Sequence, residues 1–464
     1  MRHLRFQLVL LFILSIFVAA SSWGEEFCVD SDGSLQTALI TAASNGEDDT
    51  IKVVQGTYAG PFYCTSTEGK NIVLEGGYHP LCAQRQLEPS NTVLDGGGTS
   101  LVLSVQNVAG GNIIVEGFTI QNGYSDWDVG GVYARAYNSP GDSGAVTLAH
   151  NIIAHNSADR FGGAWADSYT STGNSGPVTV THNIVMDNSA VRNYGGIGAR
   201  SESSIGNAAS MTFTHNTFAD NSAGGFSGGM AVECLGQTGS GAVTLTHNTI
   251  TGNTAGENAG GVYIAAQSRS GTPGGVLLAN NLVAGNSAGG HGGGLRAYLT
   301  NPSGSGQLTL TNNTFSGNNA TEQGGGVHLN QYDLYDTSTF DLHNNIIWGN
   351  TAPYGADIYL YGVATFNAHN NDYVDMIGTW DSASGNISDN PLFVGAGDYH
   401  LQPGSPCRDA GNAGAPELPA TDIDGEKRTQ GAAPDMGADE LPVRPFLLFP
   451  IKTKNGKVVV IYLE

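Results

Sequence analysis

Four ionisable residues recur at one repeat interval in the middle of the chain: Arg135, Asp167, Arg200 and Glu233. If each repeat forms one coil of a stacked structure, these side chains make a column of alternating charge. Asp167 and Glu233 then stand two coils apart, about 9.6 Å at ~4.8 Å per coil. That is near the upper end of the carboxyl separation in an inverting glycosidase. Arg200 between them suits recognition of an acidic sugar, or service as a base in a lyase-type elimination. A solvated sheet face that avoids stacking like charges needs the same alternation, so a structural ladder is the competing reading. The catalytic candidates are Asp167, Arg200 and Glu233.

A neighbouring column reads Tyr133, Trp165, Gly198, Ala231, Tyr263, Arg296, His328 and Tyr359, and the charged column continues as Ala265, Tyr298, Asn330 and Tyr361. Tyr133, Arg135, Trp165, Tyr263, Arg296 and Tyr298 are the ligand-binding candidates, because rigid amphipathic rings stack on sugars. Ordinary strand propensity also accounts for the aromatics. A third column, His150, His182, His215 and His247, continues as Asn280, Asn312 and Asn344. Stacked imidazoles raise a metal hypothesis. No carboxylate joins them, however, and Asn takes their place without breaking the pattern, which favours a structural ladder. His155, Asp187 and Asp220 form a column that could meet Ca²⁺, with solvated turn residues as the alternative. No metal centre or other cofactor is expected, Ca²⁺ being the one alternative.

The elements that hold these columns follow from self-comparison. Seven segments align, from Leu148–Asn156 to Leu342–Asn350, and their final Asn residues (156, 188, 221, 253, 286, 318 and 350) recur every 32 or 33 positions. Each but the last is followed by Gly-Gly and an apolar residue, as at Gly162-Gly163 and Gly228-Gly229; the last has Gly355-Ala356. Helical repeats of this period exist, but Val243-Thr-Leu-Thr and Leu308-Thr-Leu-Thr alternate with period two. The expected fold is all-β, a right-handed parallel β-helix (solenoid) with an N-terminal helical cap and a C-terminal capping module. In the strand after each Gly-Gly, residues such as Val132, Ala134, Ile197 and Ala199 should point inward and the charged and aromatic columns outward.

Leu35, Ala38, Leu39 and Ala42 have helical spacing and supply the expected cap. Met1–Arg5 is basic and precedes an apolar run, so residues 1–24 read as a secretory signal peptide. Residues 25–112 read as cap and irregular first coils, 113–388 as repeats, 389–440 as a separate module and 441–464 as a tail. Within the tail, Val458–Leu463 reads as one strand. An exported chain permits one disulfide among Cys28, Cys64 and Cys82, with the pairing open; Cys234 and Cys407 lie too far apart along the stack to pair.

Composition narrows the function classes. The chain has 464 residues and a formal net charge of -23, with 41 acidic against 18 basic side chains, which argues against a nucleic-acid partner. No second apolar stretch is long enough for a spanning helix once the signal is removed. The expected location is secreted, extracellular or cell-surface associated.

The paired motifs Phe218-x-x-Asn221 and Phe315-x-x-Asn318 with Gly-Gly-apolar resemble repeats of chlamydial polymorphic membrane proteins and related bacterial β-helix proteins of the pectin-lyase-like superfamily. Those proteins resemble autotransporters, whose barrel needs about a dozen strands of about ten residues. The chain after Asp389 is too short for that, so self-transport is not expected. Asn390-Pro-Leu-Phe393, Asp422-Ile-Asp-Gly425, Arg428 and Pro434-Asp-Met-Gly-Ala-Asp-Glu440 are similar to the choice-of-anchor Q module. This resemblance implies a C-terminal module ahead of a surface-attachment signal. The Asn-Thr-Asp and Arg-Ile-Lys motifs of polygalacturonases and the Trp-Ile-Asp-His pattern of pectate lyases are absent. Gly290-His291-Gly292 matches only a polygalacturonase fragment. The first functional reading is therefore an adhesion, scaffold or glycan-binding module whose partner is a polysaccharide or cell-surface glycan. The second is a lyase or hydrolase acting on acidic polysaccharide.

Overall fold

The computed structural model describes residues 24–300, 306–331 and 337–442, with the backbone of 449–452 and 458–461. The expected signal peptide lies outside them apart from Gly24. Among the described residues the chain winds into a right-handed parallel β-helix whose strands stack into one 13-stranded, two 11-stranded and one short 7-stranded sheet. Each strand pairs in parallel with its counterpart one repeat later, as Arg135 with Asp167, Asp167 with Arg200 and Arg200 with Glu233. The inward residues expected from the alternation, Val132, Ala134, Ile197, Ala199, Met230 and Val232 among them, are fully buried in one continuous core.

Two corners of each coil are built by asparagine. At one corner the amides of Asn156, Asn188, Asn221, Asn253, Asn286, Asn318 and Asn350 form a buried ladder. Each side-chain Nδ2 donates to the next Oδ1, at 3.0 Å from Asn156 to Asn188 and from Asn221 to Asn253. Asp357 accepts the last bond. The small Gly-Gly pair lets this ladder close: a Cβ at Gly163 would lie 2.4 Å from the Gly196 carbonyl oxygen and 3.0 Å from the Asn188 amide. A second ladder runs through Asn151, Asn183, Asn216, Asn248, Asn281, Asn313, Asn345 and Asn371.

The residue before each ladder asparagine sits in the left-handed region. His150, His182, His215, His247, Asn280, Asn312 and Asn344 have φ between 51° and 60°, and His and Asn tolerate that conformation better than branched side chains. The imidazoles stack at 4.7 to 4.9 Å. His155, Asp187 and Asp220 hold the corresponding position before the first ladder, followed by Gly252, Gly285 and Gly317, all with positive φ. Both columns are corner residues, selected by backbone conformation.

The helix expected from the Leu35–Ala42 spacing is present as α1 (Asp32–Ala42), capped by Ser31, with Leu35, Ala38, Leu39 and Ala42 buried. Cys28 is bonded to Cys82 across 5.8 Å between Cα atoms, which decides the open pairing; Cys64, Cys234 and Cys407 are buried thiols. Residues 389–440 run laterally along the left-handed corner of the stack. His247 Nε2 is 3.3 Å from Thr421 Oγ1, Asn312 donates to the Asp435 carbonyl at 2.8 Å, and Asn344 donates to the Asn412 carbonyl at 3.1 Å. The change from His to Asn along the third column thus marks where this segment lies: an amide can donate to a passing main-chain carbonyl in less space than an imidazole needs. Arg428, almost fully buried, anchors the segment by donating to Asn280 and to the carbonyls of Gly437, Ala438 and Asp439. In the tail, Val458–Ile461 pairs antiparallel with Phe449–Lys452, so the expected strand is one half of a hairpin.

Candidate functional site

The outward face of the sheet that follows each Gly-Gly carries a groove of about 310 Å³. Strand residues Tyr133, Arg135, Trp165, Asp167, Arg200 and Glu233 form its base, and the preceding turns add Asp128, Arg160, Phe161, Asn193 and Tyr194. The parallel register delivers the first set and is what the sequence spacing encodes. The second set falls in turns of unequal length, where repeat alignment is weakest. Their sequence signal is a bulky residue immediately before the Gly-Gly, seen at Phe161 and Tyr194.

The floor is aromatic. Phe161 stacks on Trp165 at 4.3 Å, Tyr194 lies 6.1 Å from Trp165, and the Arg200 guanidinium sits 5.3 Å from the Trp165 ring. Trp165 is only 7 % exposed. The expectation that it offers a free stacking face is corrected: its ring is covered by protein and shapes the floor. Gly198 makes that packing possible, since a Cβ there would lie 2.5 Å from the Tyr194 ring and 2.6 Å from Trp165.

The charged column is one ion-pair network. Asp167 is fully buried; Arg200 Nε and Nη2 donate to its two oxygens at 2.9 and 3.1 Å, and Arg135 Nε approaches at 3.0 Å. Arg200 also reaches Glu202 at 2.8 Å. Two roles proposed from the spacing are corrected here. Asp167 has both oxygens clamped by guanidinium groups, so it is not placed to activate water opposite Glu233. Arg200 is not a base: burial opposes its charge, but hydrogen bonding to Asp167 and the charges of Asp167, Glu202 and Glu233 raise its pKa above the ordinary arginine value.

Glu233 differs from both. Tyr194 Oη donates to its Oε1 at 2.7 Å. Burial lifts its pKa above the usual carboxylate value despite that hydrogen bond and the pull of Arg200. A half-buried carboxyl held by a tyrosine hydroxyl in a groove is a group able to take or give a proton.

The remaining candidates are not gathered here. Tyr263 packs against the edge of the aromatic floor. Arg296 lines a separate, shallower groove with His291, Glu257 and Glu322, where His291 Nε2 is 3.4 Å from the Glu322 carboxylate. Tyr298 lies on the Arg296 strand, beside Ala265 in register. His291, from the Gly290-His291-Gly292 fragment, stacks with His328 at 5.2 Å in a ring column that continues to Tyr359.

No protein-family model and no curated protein matches the chain. Solved structures of similar fold include the pectate lyase Pel9A, 14% identical over 84% of this chain and 88% of that chain, with a TM-score of 0.41. They also include the A-module of the Azotobacter vinelandii mannuronan C-5 epimerase AlgE6 (15% identical, 80% and 98% covered, TM-score 0.28). A third is the PL6 family alginate lyase AlyGC (11% identical, 79% of each chain, TM-score 0.18). At these values the likeness concerns the winding of the chain and carries nothing to its chemistry. No described helix is long and apolar enough to cross a membrane.

Proposed function

We propose that this chain is a secreted or surface-displayed glycan-binding β-helix protein whose ligand lies in the Arg135–Glu233 groove, with residues 389–440 as an attachment-associated module. The observation that carries this reading is the groove's composition: three guanidinium groups (Arg135, Arg160, Arg200) and the carboxylates of Asp128 and Glu233 line it above an aromatic floor, with buried Asp167 holding Arg135 and Arg200 in place. Planar, bidentate groups of both signs match the alternating donors and acceptors of sugar hydroxyls. Trp127, the residue before Asp128 in the chain, is 79 % exposed and offers the open ring face that Trp165 lacks. Arg160 pairs with Asp128 at 3.2 Å where both are half exposed, so its loss should cost little stability. Glycan-array screening followed by calorimetry should find a polysaccharide whose affinity falls about tenfold in Arg160→Ala, roughly 1.4 kcal/mol, and comparably in Trp127→Ala, with unchanged thermal midpoints. Retained affinity in both variants would move the ligand elsewhere.

The raised pKa of Glu233 favours one second reading, polysaccharide cleavage with Glu233 as the acid–base group. Release of reducing ends or unsaturated products, abolished in Glu233→Gln, would establish it; no release from a polysaccharide that binds would leave the binding reading alone. A linked effect is independent of turnover. A carboxyl whose pKa is higher folded than unfolded favours the fold when protonated, so stability falls as pH rises from the ordinary glutamate value through the folded one. Glu233→Gln should flatten that slope in thermal melts recorded across the acidic range.

A further inference from the structure

On the opposite flank, where residues 389–440 lie against the coils, a second cavity of about 390 Å³ opens beside Thr249, Leu282 and Thr314. Three potential ligands from three separate segments meet there. His400 comes from the strand Asp398–Leu401, Asp424 from the Asp422-Ile-Asp-Gly425 loop, and Asp439 from the Pro434–Glu440 segment. One nitrogen of His400 and one oxygen of each carboxylate all lie within 4.8 Å of one another. We propose that His400, Asp424 and Asp439 form a binding site for a divalent cation of the zinc or manganese type, independent of the groove and of the function proposed for it.

Two features distinguish this trio from a patch of surface acids. The first is orientation of the imidazole. Asp398 Oδ1 is 2.5 Å from His400 Nδ1, which leaves Nε2 directed at Asp424 Oδ2, 2.8 Å away. A carboxylate on one ring nitrogen, fixing the other toward the ion, is the outer-shell arrangement that metal-ligating histidines use. The second feature is Asp439. It is only 6 % exposed and forms no direct ion pair among the described residues; the charge of the nearby His400 favours its ionised form. The Leu401 N–H donates to Oδ2 at 2.8 Å, while Oδ1 accepts no hydrogen bond among the described residues. The main chain thus orients this carboxylate and leaves one oxygen open to a cation at the centre of the trio. In the metal-free chain the Nε2 proton lies between His400 and Asp424; a cation takes the place of that proton and adds Asp439. One nitrogen and two oxygen donors suit zinc or manganese, whereas calcium prefers an all-oxygen shell of six or more ligands. The bound ion would tie together three segments of the flanking module.

Titration of the untagged full chain, freed of metal with chelator, with ZnCl₂, MnCl₂ and CaCl₂ tests the proposal. One equivalent of Zn²⁺ or Mn²⁺ should bind more tightly than Ca²⁺ and raise the thermal midpoint. His400→Gln and Asp439→Asn should each weaken binding at least about tenfold, and the exposed Asp398→Asn, which removes the negative charge beside Nδ1, about tenfold. Circular dichroism confirms that the variants fold. A His182→Asn/His215→Asn background should keep the site, because those imidazoles belong to the corner ladder. The proposal fails if neither Zn²⁺ nor Mn²⁺ binds, leaving His400 as an imidazolium between two carboxylates. It fails equally if binding survives His400→Gln and Asp398→Asn, or if it disappears with the ladder histidines.

Discussion

Replacing Asn248 by alanine is expected to cost about 4 kcal/mol of stability, although the residue touches no groove and no ligand. Asn248 is fully buried in the second amide ladder. Its Oδ1 accepts both the main-chain N–H and the side-chain Nδ2 of Asn216 at 3.0 Å, and its own Nδ2 donates to the Phe213 carbonyl at 3.0 Å and to Asn281 Oδ1 at 2.9 Å. Alanine strands the Asn216 N–H, a main-chain group with no route to water, and leaves the Phe213 carbonyl only its ladder bond to the next strand. A stranded group costs about 1–3 kcal/mol, and the Asn216 and Asn281 amides each lose a partner as well. His215→Asn is the control: Asn holds the left-handed corner later in the same column, at Asn280, Asn312, Asn344 and Asn370, so that substitution should stay within about 0.5 kcal/mol. Stacked coils interact chiefly with their neighbours, so the loss should be local. Hydrogen exchange should speed most at the Asn216 amide and its adjacent coils, and a urea midpoint should shift down. A shift no larger than that of His215→Asn would mean the ladder is ornament on a stack held by its apolar core alone.

This ladder also shows what the sequence discloses and what it conceals. The Asn156–Asn350 ladder is legible because its period is unbroken and the Gly-Gly after it needs a reason. The second ladder is equally regular, but its asparagines follow a column of histidines, and imidazoles draw attention as chemistry. Only the backbone shows that His150 and its successors are chosen for positive φ, and that Asn succeeds His where residues 389–440 pass over the corner. Parallel register, fixed by side-chain alternation within each strand and by the 32- or 33-residue repeat between strands, made the Arg135–Glu233 column readable residue by residue. Groove depth was not readable. It depends on Phe161, Tyr194 and Arg160, which reach the site from turns whose lengths vary, and on Gly198, whose missing side chain admits two rings. The His400 trio was hidden for a different reason: its members belong to no repeat, and 39 positions separate the first from the last.

Asp167→Ala should be the most damaging change within the groove itself, lowering stability by about 3 kcal/mol. Breaking a buried ion pair from one side costs about 3–5 kcal/mol, because the surviving charge is left without compensation. Here two guanidinium groups lose their common partner, and each keeps about a quarter of its side chain in water (29% for Arg135, 25% for Arg200), which places the cost at the lower end. The chemical consequence lies one coil away. With Asp167 gone, Arg200 retains Glu202 and Glu233 as its anionic neighbours, so Glu233 should ionise more readily and its pKa should fall toward the ordinary carboxylate value. Titrating the Glu233 carboxyl by carbon-detected NMR in the wild type and in Asp167→Asn, the milder variant, separates this effect from unfolding. A downward shift with an intact fold would show that Asp167, by occupying Arg200, keeps Glu233 poised to exchange a proton. An unchanged Glu233 would mean that burial under Tyr194 sets its pKa by itself, and that the alternating charges serve only to hold neighbouring coils in register.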